Sequence, residues 1–497
     1  MIPYKTIISL NRKSKQPLYI QLTNQFIDLI KNGKLAPTTK LPGSRTLSEL
    51  IGLHRKTVVA SYDELTLQGW IESVPKKGTF VNSKLPILEK RQLGDDFDVM
   101  DGNMDSVGFD FKRNSILNRS FPQSFNTDYI YVNDGISDGR LAPVNEIALI
   151  YRNLIAKKST VPHLAYGTTY GDLSLRKTLV TYLNETRGLA ITLDNIMITR
   201  GSQMGMYLTA QLLFSNKDYI IIGATNYSSS DTTFEFSGAK LLRVNVDEHG
   251  LVTKDIEKLC KSYEIKAVYT TSHHHHPTTV TLSAERRIHL LNLAKAYKFA
   301  VLEDDYDYDF HYNHAPILPL ASHDKNGNVI YVGSFCKTVA PAYRVGYLIA
   351  PKAFVDECAK LRRFVDRQGD AVLEMAFAKF IKNGNLDRHI KKVLKVYKSR
   401  RDLFCELLEK ELGAYLSFEI PKGGMAIWAT LNKKYSWDSV AKKALEQKLV
   451  ISEWQRYDMA NSKHNAIRMG FATYNESEIH EFVKRFKKTM NLVCVEQ

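Results

Sequence analysis

Lys337 stands in the run Ser334-Phe335-Cys336-Lys337-Thr338-Val339-Ala340-Pro341-Ala342-Tyr343-Arg344, directly after an apolar, β-prone stretch. An amine placed there, with a hydroxyl three residues before it and a guanidinium seven after it, suits two kinds of chemistry. The amine can form a Schiff base with a carbonyl compound, and nearby cations or desolvation supply the lowered pKa this needs. Ser334 and Arg344 can neutralise a phosphate monoester on the same compound. Two further groups suit the same molecule. Gly201-Ser202-Gln203-Met204 lies where a strand gives way to a helix, so free amides and the helix dipole can hold a phosphate, although an ordinary helix cap has the same pattern. In Glu303-Asp304-Asp305-Tyr306-Asp307 a carboxylate can pair with a protonated pyridine nitrogen and a tyrosine can donate to a ring oxygen. A run so rich in acids also reads as a metal-binding loop.

The elements that must position these groups are legible as alternating β-prone and helical stretches. They run Asn195–Ile198, a helix from Ser202, Tyr219–Ile222, Ala267–Thr270, a helix near Ala284–Lys298, Phe299–Glu303 and Val329–Gly333. Such alternation predicts a mainly parallel sheet covered by helices, with functional groups beyond the carboxyl ends of its strands. At 497 residues and 44% hydrophobic, the chain can build two or three cores, so a small domain beside a large one is expected. Five widely spaced cysteines with no CxxC pair argue against a disulfide framework or zinc site and for a reduced, cytoplasmic setting. No apolar run approaches the ~20 residues that span a bilayer, so no membrane partner is expected.

The net charge of +15 is unevenly spread, with 13 Lys+Arg against 5 Asp+Glu in residues 1–85. A solvated basic face and a phosphate-binding one both fit that excess, and motifs must decide. Leu18, Ile20, Leu22, Phe26, Leu29 and Ile30 fall largely at helical spacing, and Asn32-Gly33 ends that helix. Thr46–Ile51 reads as a short helix, Gly52-Leu53 as a tight turn and Arg55–Leu67 as a second helix, which is helix-turn-helix spacing. A plain helical hairpin has the same pattern. Trp70–Val74 and Thr79–Val81 then form a hairpin around Pro75-Lys76-Lys77-Gly78, a wing with two cations at its tip.

Four segments carry a resemblance: Pro-Leu-Tyr-x-Gln at 17–21, Leu-Pro-Gly-Ser-Arg at 41–45, Gly-Leu-x-Arg-x-Thr-Val at 52–58 and Lys-Gly-Thr-Phe-Val at 77–81. Together they resemble the GntR-type winged helix-turn-helix over residues 1–82. The resemblance implies that Ser44, Arg45, Arg55, Lys56, Thr57, Lys77 and Gly78 contact a double-stranded DNA operator. Lys76 departs from the glycine-rich wing tip of many relatives. Residues 83–125 show no periodicity and read as a linker, which as a random coil of ~40 residues spans about 35 Å.

Residues 126–497 resemble a fold type I, pyridoxal 5'-phosphate-dependent aminotransferase domain, with a small subdomain from about residue 365. Supporting pieces are Tyr166-Gly167, Pro277-Thr278, Pro421-Lys422-Gly423-Gly424 and Ile467-Arg468-Met469-Gly470-Phe471. With the winged helix, the whole chain is similar to the MocR/GabR subfamily of GntR regulators. By that resemblance Lys337 is the covalent anchor of pyridoxal phosphate, Asp304 pairs with its ring nitrogen and Tyr306 contacts its ring oxygen. Ser202, Gln203, Ser334 and Arg344 take its phosphate, and Tyr227 stacks on its ring, although the Glu-x-Pro usual before that aromatic has become Gly223-Ala224-Thr225. His276 either bonds the ring oxygen or is a satisfied structural histidine. Arg468 matches an arginine that clamps a substrate carboxylate, a bidentate task suited to guanidinium.

His273-His274-His275-His276 invites a metal reading, yet on an extended strand alternate side chains could not all face one ion, and no metal is expected. Cys336 stands where relatives have serine or threonine. The implied protein is a head-to-tail homodimer that senses an amine, an amino acid or pyridoxal phosphate itself. A working aminotransferase carrying a DNA-binding module remains the alternative.

Overall fold

The computed structural model describes residues 2–85, 109–118, 128–312, 317–451, 454–457 and 464–495. It divides into two compact units, Met1–Lys112 and Arg113–Gln497. Most of the expected linker, residues 86–108 and 119–125, lies outside the described residues, and the second unit begins inside the stretch assigned to it.

The first unit has helices Tyr4–Ile7, Leu18–Lys31, Ser44–Ile51 and Arg55–Leu67, followed by an antiparallel hairpin of Ile71–Val74 and Gly78–Val81. Leu22, Phe26, Leu47, Val58, Leu65 and Val81 are fully buried in one core, closed by Tyr4 and Tyr62 on either side of Phe26. The helix expected over Thr46–Ile51 begins at Ser44 instead, because extended Gly43 is its cap and Ser44-Arg45 make its first turn. It ends at Gly52, whose φ of 64° is the left-handed conformation that a tight turn requires. Residues 4–7 make only one turn, too short to leave a periodic signature, and were not anticipated.

In the second unit the seven-stranded sheet runs, from edge to edge, Ile196–Thr199, Gly346–Ile349, Val329–Ser334, Ala300–Asp305, Ile265–Thr270, Tyr219–Gly223 and Lys240–Val244. All pairs are parallel except those made by Gly346–Ile349, which is antiparallel to both neighbours. Its strands read as continuous apolar runs because helices cover them, as the fully buried Ile220–Ile222 illustrates.

A second, three-stranded antiparallel sheet joins Leu416–Phe418, Ala426–Leu431 and Ala466–Gly470, and packs with helices Asn385–Leu412, Trp437–Glu446 and Glu476–Val495. Its core takes in Val132 and Phe310 from earlier in the chain. The helix Ala371–Lys382, expected within this subdomain, instead buries Phe377, Phe380 and Ile381 against Leu175, Leu179 and Leu183 of the large layer. Its apolar face fits that layer, so apart from Val132 and Phe310 the buried residues of the small core come from Val393 onward.

Candidate functional site

Lys337, Asp304, Tyr306, Ser202, Gln203, Tyr227, His276, Ser334 and Arg344 all line one cavity of about 160 Å³ in the second unit. Its remaining lining is Cys336, which stands beside Lys337 in the same motif, and Asp134, Tyr269 and Thr271, which sequence reasoning did not assign to it. The convergence follows from topology: the strands ending at Thr199, Thr270, Asp305 and Ser334 share one carboxyl edge of the sheet.

At one end of the cavity Gly201, with φ 78°, turns the chain from strand into the helix Ser202–Leu213. A Cβ on Gly201 would lie 2.8 Å from Arg344 Nη2, so only glycine lets the arginine close over this helix start. Arg344 Nη2 donates to Arg200 O at 2.7 Å, Gln203 Nε2 to Thr233 Oγ1 at 2.6 Å, and Cys336 N to Ser334 Oγ at 3.0 Å. A cation, hydroxyls and a helix N-terminus there form a cradle of anion-binding type.

Elsewhere on the lining, Asp304 Oδ2 accepts from Tyr269 O–H at 2.9 Å, while Oδ1 is buried without a hydrogen-bond partner. Burial pushes its carboxyl up to about 7, with Asp307 adding to the rise while Tyr269 and Lys337 oppose it. An unpaired, buried carboxylate oxygen calls for a donor, and a cationic ring N–H supplies one. The donor set at both places therefore fits a phosphorylated pyridine.

The acids expected as one loop are partly a strand, which extends to Asp305, and they diverge. Glu303 accepts from Leu320 N at 2.9 Å, Ala321 N at 3.0 Å and Ser272 Oγ. Asp305 accepts from Tyr331 O–H, and Asp307 faces His274 Nδ1 at 2.9 Å. Alternation along the strand sends Asp304 to the opposite face from its neighbours, so the carboxylates do not share an ion.

The four histidines are bends and a turn rather than an extended strand. They separate because each ring has its own counterpart: His273 meets Ile317 O, His274 Asp307, His275 Thr225 O and His276 Asp134. Only His276 reaches the cavity, edge-on to Tyr227 with centroids 5.0 Å apart, and burial lowers it to about 4, leaving it neutral at pH 7.

Lys337 Nζ donates to Gly135 O at 2.6 Å. Tyr306 O–H donates to His274 O at 2.8 Å. Arg468 does not line the cavity: it is 2% exposed, and its Nε donates to Asp134 O at 2.8 Å, Nη1 to Pro277 O at 3.0 Å and Nη2 to Tyr306 Oη at 3.4 Å.

In the first unit, Arg45, Arg55, Lys56, Lys77 and Gly78 are exposed and Ser44 and Thr57 half-buried. Arg55 Nε lies 3.5 Å from Ser44 Oγ, bringing the starts of the two helices together. His54 caps the second helix by accepting from Lys56 N at 3.2 Å. The wing turns through Val74-Pro75-Lys76-Lys77, closed by Lys77 N donating to Val74 O at 3.0 Å. Lys76 takes φ 63° at the turn position usually held by glycine.

Comparison with known proteins agrees with the division into two units. The model for aminotransferases of class I and II matches residues 145–486, more than half of the chain, and that for bacterial regulatory proteins of the gntR family matches residues 18–81. The chain belongs to the class I and II aminotransferase family, fused to a gntR-family helix-turn-helix. The fused architecture extends to relatives along the whole chain. The uncharacterized HTH-type transcriptional regulator YisV of Bacillus subtilis is 26% identical over 480 residues, 96% of this chain and 97% of the relative. The HTH-type transcriptional regulator TauR of Rhodobacter capsulatus is 27% identical over 93% of this chain and 94% of its own length. Among solved structures, the kynurenine aminotransferase of Pyrococcus horikoshii matches with a TM-score of 0.69 and 28% identity, covering 74% of this chain and 92% of that one. Among the described residues, no helix of this aminotransferase-fold regulator is long and apolar enough to cross a membrane.

Proposed function

We propose that this chain is a DNA-binding transcriptional regulator whose aminotransferase-like unit binds pyridoxal 5'-phosphate through Lys337 and responds to an amine, an amino acid or the cofactor itself. The observation that carries the reading is the joining of a winged helix with exposed cations to one cavity lined by all nine residues chosen for cofactor contact. When bound, pyridoxal phosphate supplies an aldehyde open to amines and a pyridine ring able to take up electrons. Asp304 would hold the proton on the ring nitrogen, His276 would donate toward the ring oxygen, as would Tyr306 once its hydroxyl leaves His274 O, and Tyr227 would pack on the ring. Ser202, Gln203, Ser334 and Arg344 hold the phosphate. Lys337 would give up its hydrogen bond to Gly135 O to hold the cofactor. In the first unit Arg55, Lys56 and Thr57 meet base edges or phosphates in the major groove, Ser44, Arg45, Lys77 and Gly78 meet the backbone, and two chains in a head-to-tail homodimer read a repeated half-site.

With an amine effector present, Lys337 would be the residue whose side chain is released, and that change would supply the difference between two states that regulation requires. Arg468, as a clamp for an effector carboxylate, must first give up donors now spent on this chain's own oxygens. The test is the visible absorbance of protein mixed with pyridoxal phosphate: a band present in the wild type and lost in Lys337→Ala supports the reading, and a band unchanged in that variant contradicts it. The aminotransferase alternative draws on the 28% identity over 369 residues with aromatic-amino-acid aminotransferase 1 of Thermococcus litoralis. Sustained turnover of an amine with a keto acid would establish it, whereas one slow half-reaction would not.

A further inference from the structure

Asp134 lies in a segment with no sequence signature, yet it lines the cavity beside Lys337. Two cations are its neighbours, and neither pairs with its carboxylate. Lys337 Nζ is directed to the carbonyl of Gly135, and Arg468 to the carbonyls of Asp134 and Pro277. The ring nitrogen facing the carboxylate is His276 Nε2, at a long 3.6 Å from Oδ2, while Lys337 and Arg468 act on it through their charge without a direct pair. Burial by itself would raise the Asp134 carboxyl, but Lys337, His276 and Arg468 outweigh it and hold the group well below the usual carboxylate range. The cavity thus presents a fixed anion at its amine-accepting end, while the guanidinium that could attract a carboxylate stands behind the wall.

We propose that Asp134 is a specificity-determining residue that selects effectors carrying a second cation, so that the preferred ligand class is diamines rather than amino acids. One amine of such a ligand meets the cofactor aldehyde and the other, as ammonium, pairs with Asp134. A carboxylate in that place meets like charge in a partly dry cavity, which is costly. The inference rests on the cofactor reading above.

The test uses three ligands with the same chain and different ends: putrescine, butylamine and 4-aminobutanoate. Each is titrated into full-length, pyridoxal phosphate-loaded protein, and binding is read from the visible absorbance and from the rise in Tm. In the wild type putrescine binds at least about tenfold more tightly than butylamine, and 4-aminobutanoate binds weakest. In Asp134→Asn the advantage of putrescine over butylamine shrinks to about twofold or less. Asp134→Glu, which keeps the charge and moves it one methylene inward, shifts the preference to 1,3-diaminopropane and holds the test open should the asparagine variant fold poorly. A wild type that prefers 4-aminobutanoate, or a putrescine advantage that survives in Asp134→Asn, would overturn the proposal. Failure of the cofactor reading is seen separately, as absence of a Lys337-dependent band, and the Tm shifts with and without Asp134 still decide the selectivity.

Discussion

Arg45, Arg55, Lys56 and Lys77 stand in water on a small core built around Phe26, whereas Asp304, His276 and Arg468 are all but buried around a cavity in the other unit. The contrast follows from what each surface must meet. A DNA backbone comes with its own counterions and rewards cations that are free to replace them, so the first unit needs only a rigid platform. A small molecule carries few charges, and binding it selectively requires buried groups left incomplete, such as Asp304 Oδ1 with no partner. One unit keeps its functional charges solvated; the other holds them dry and leaves Asp304 Oδ1 unsatisfied.

That contrast can be broken by changing one unit and watching the other. The largest effect is expected from Lys337→Ala, which should abolish every cofactor-dependent change in DNA occupancy while leaving cofactor-free affinity untouched; a variant that also bound DNA poorly would show the two sites to be inseparable. Next is Phe26→Ala. Phe26 is fully buried between Tyr4 and Tyr62, so truncation should cost the first unit about 3–5 kcal/mol. Calorimetry should then show a winged-helix transition moved down and the transition of the larger unit in place. Arg55→Ala with Lys56→Ala should lower DNA affinity and reduce the slope of log affinity against log salt by roughly 0.9 per lost phosphate contact. An unchanged slope would remove these residues from the interface.

The smallest effect concerns pH. Burial raises Asp304 to about 7, above its value in an unfolded chain of about 3.9. The folded state therefore holds a proton that the unfolded state releases. That contribution to stability is complete below about pH 4 and is lost as the pH rises through about 7. In cofactor-free protein the Tm of wild type relative to Asp304→Asn should fall by a few degrees between about pH 5 and about pH 8, and saturation with pyridoxal phosphate should flatten the difference.

Much of both units was legible because their signals are local. The helix Arg55–Leu67 has the bounds its apolar spacing predicts, and Gly52 marks the turn before it. The cavity was legible through motifs on separate strands, whose shared sheet edge brings Ser202, Tyr227, Asp304 and Lys337 to one place. Asp134, Tyr269 and Thr271 were not, since a side chain that joins a site only through tertiary contact leaves no periodicity. Asp304-Asp305 read as loop because acids are rare in buried strands. Here each has a tyrosine hydroxyl, Tyr269 for Asp304 and Tyr331 for Asp305, from a neighbouring strand. Arg468 was placed by its motif, but no motif reveals that its N–H groups are spent on Asp134 and Pro277 carbonyls.

The most direct test of the account is a footprint of full-length protein on the DNA upstream of its own gene and the adjacent gene, with and without pyridoxal phosphate and then with an amine. A protected repeat whose occupancy or bending changes with these ligands, and stops changing in Lys337→Ala, is the predicted result. Absence of any protected site, or protection indifferent to cofactor and amine alike, would contradict the claim that the cavity and the winged helix form one sensor.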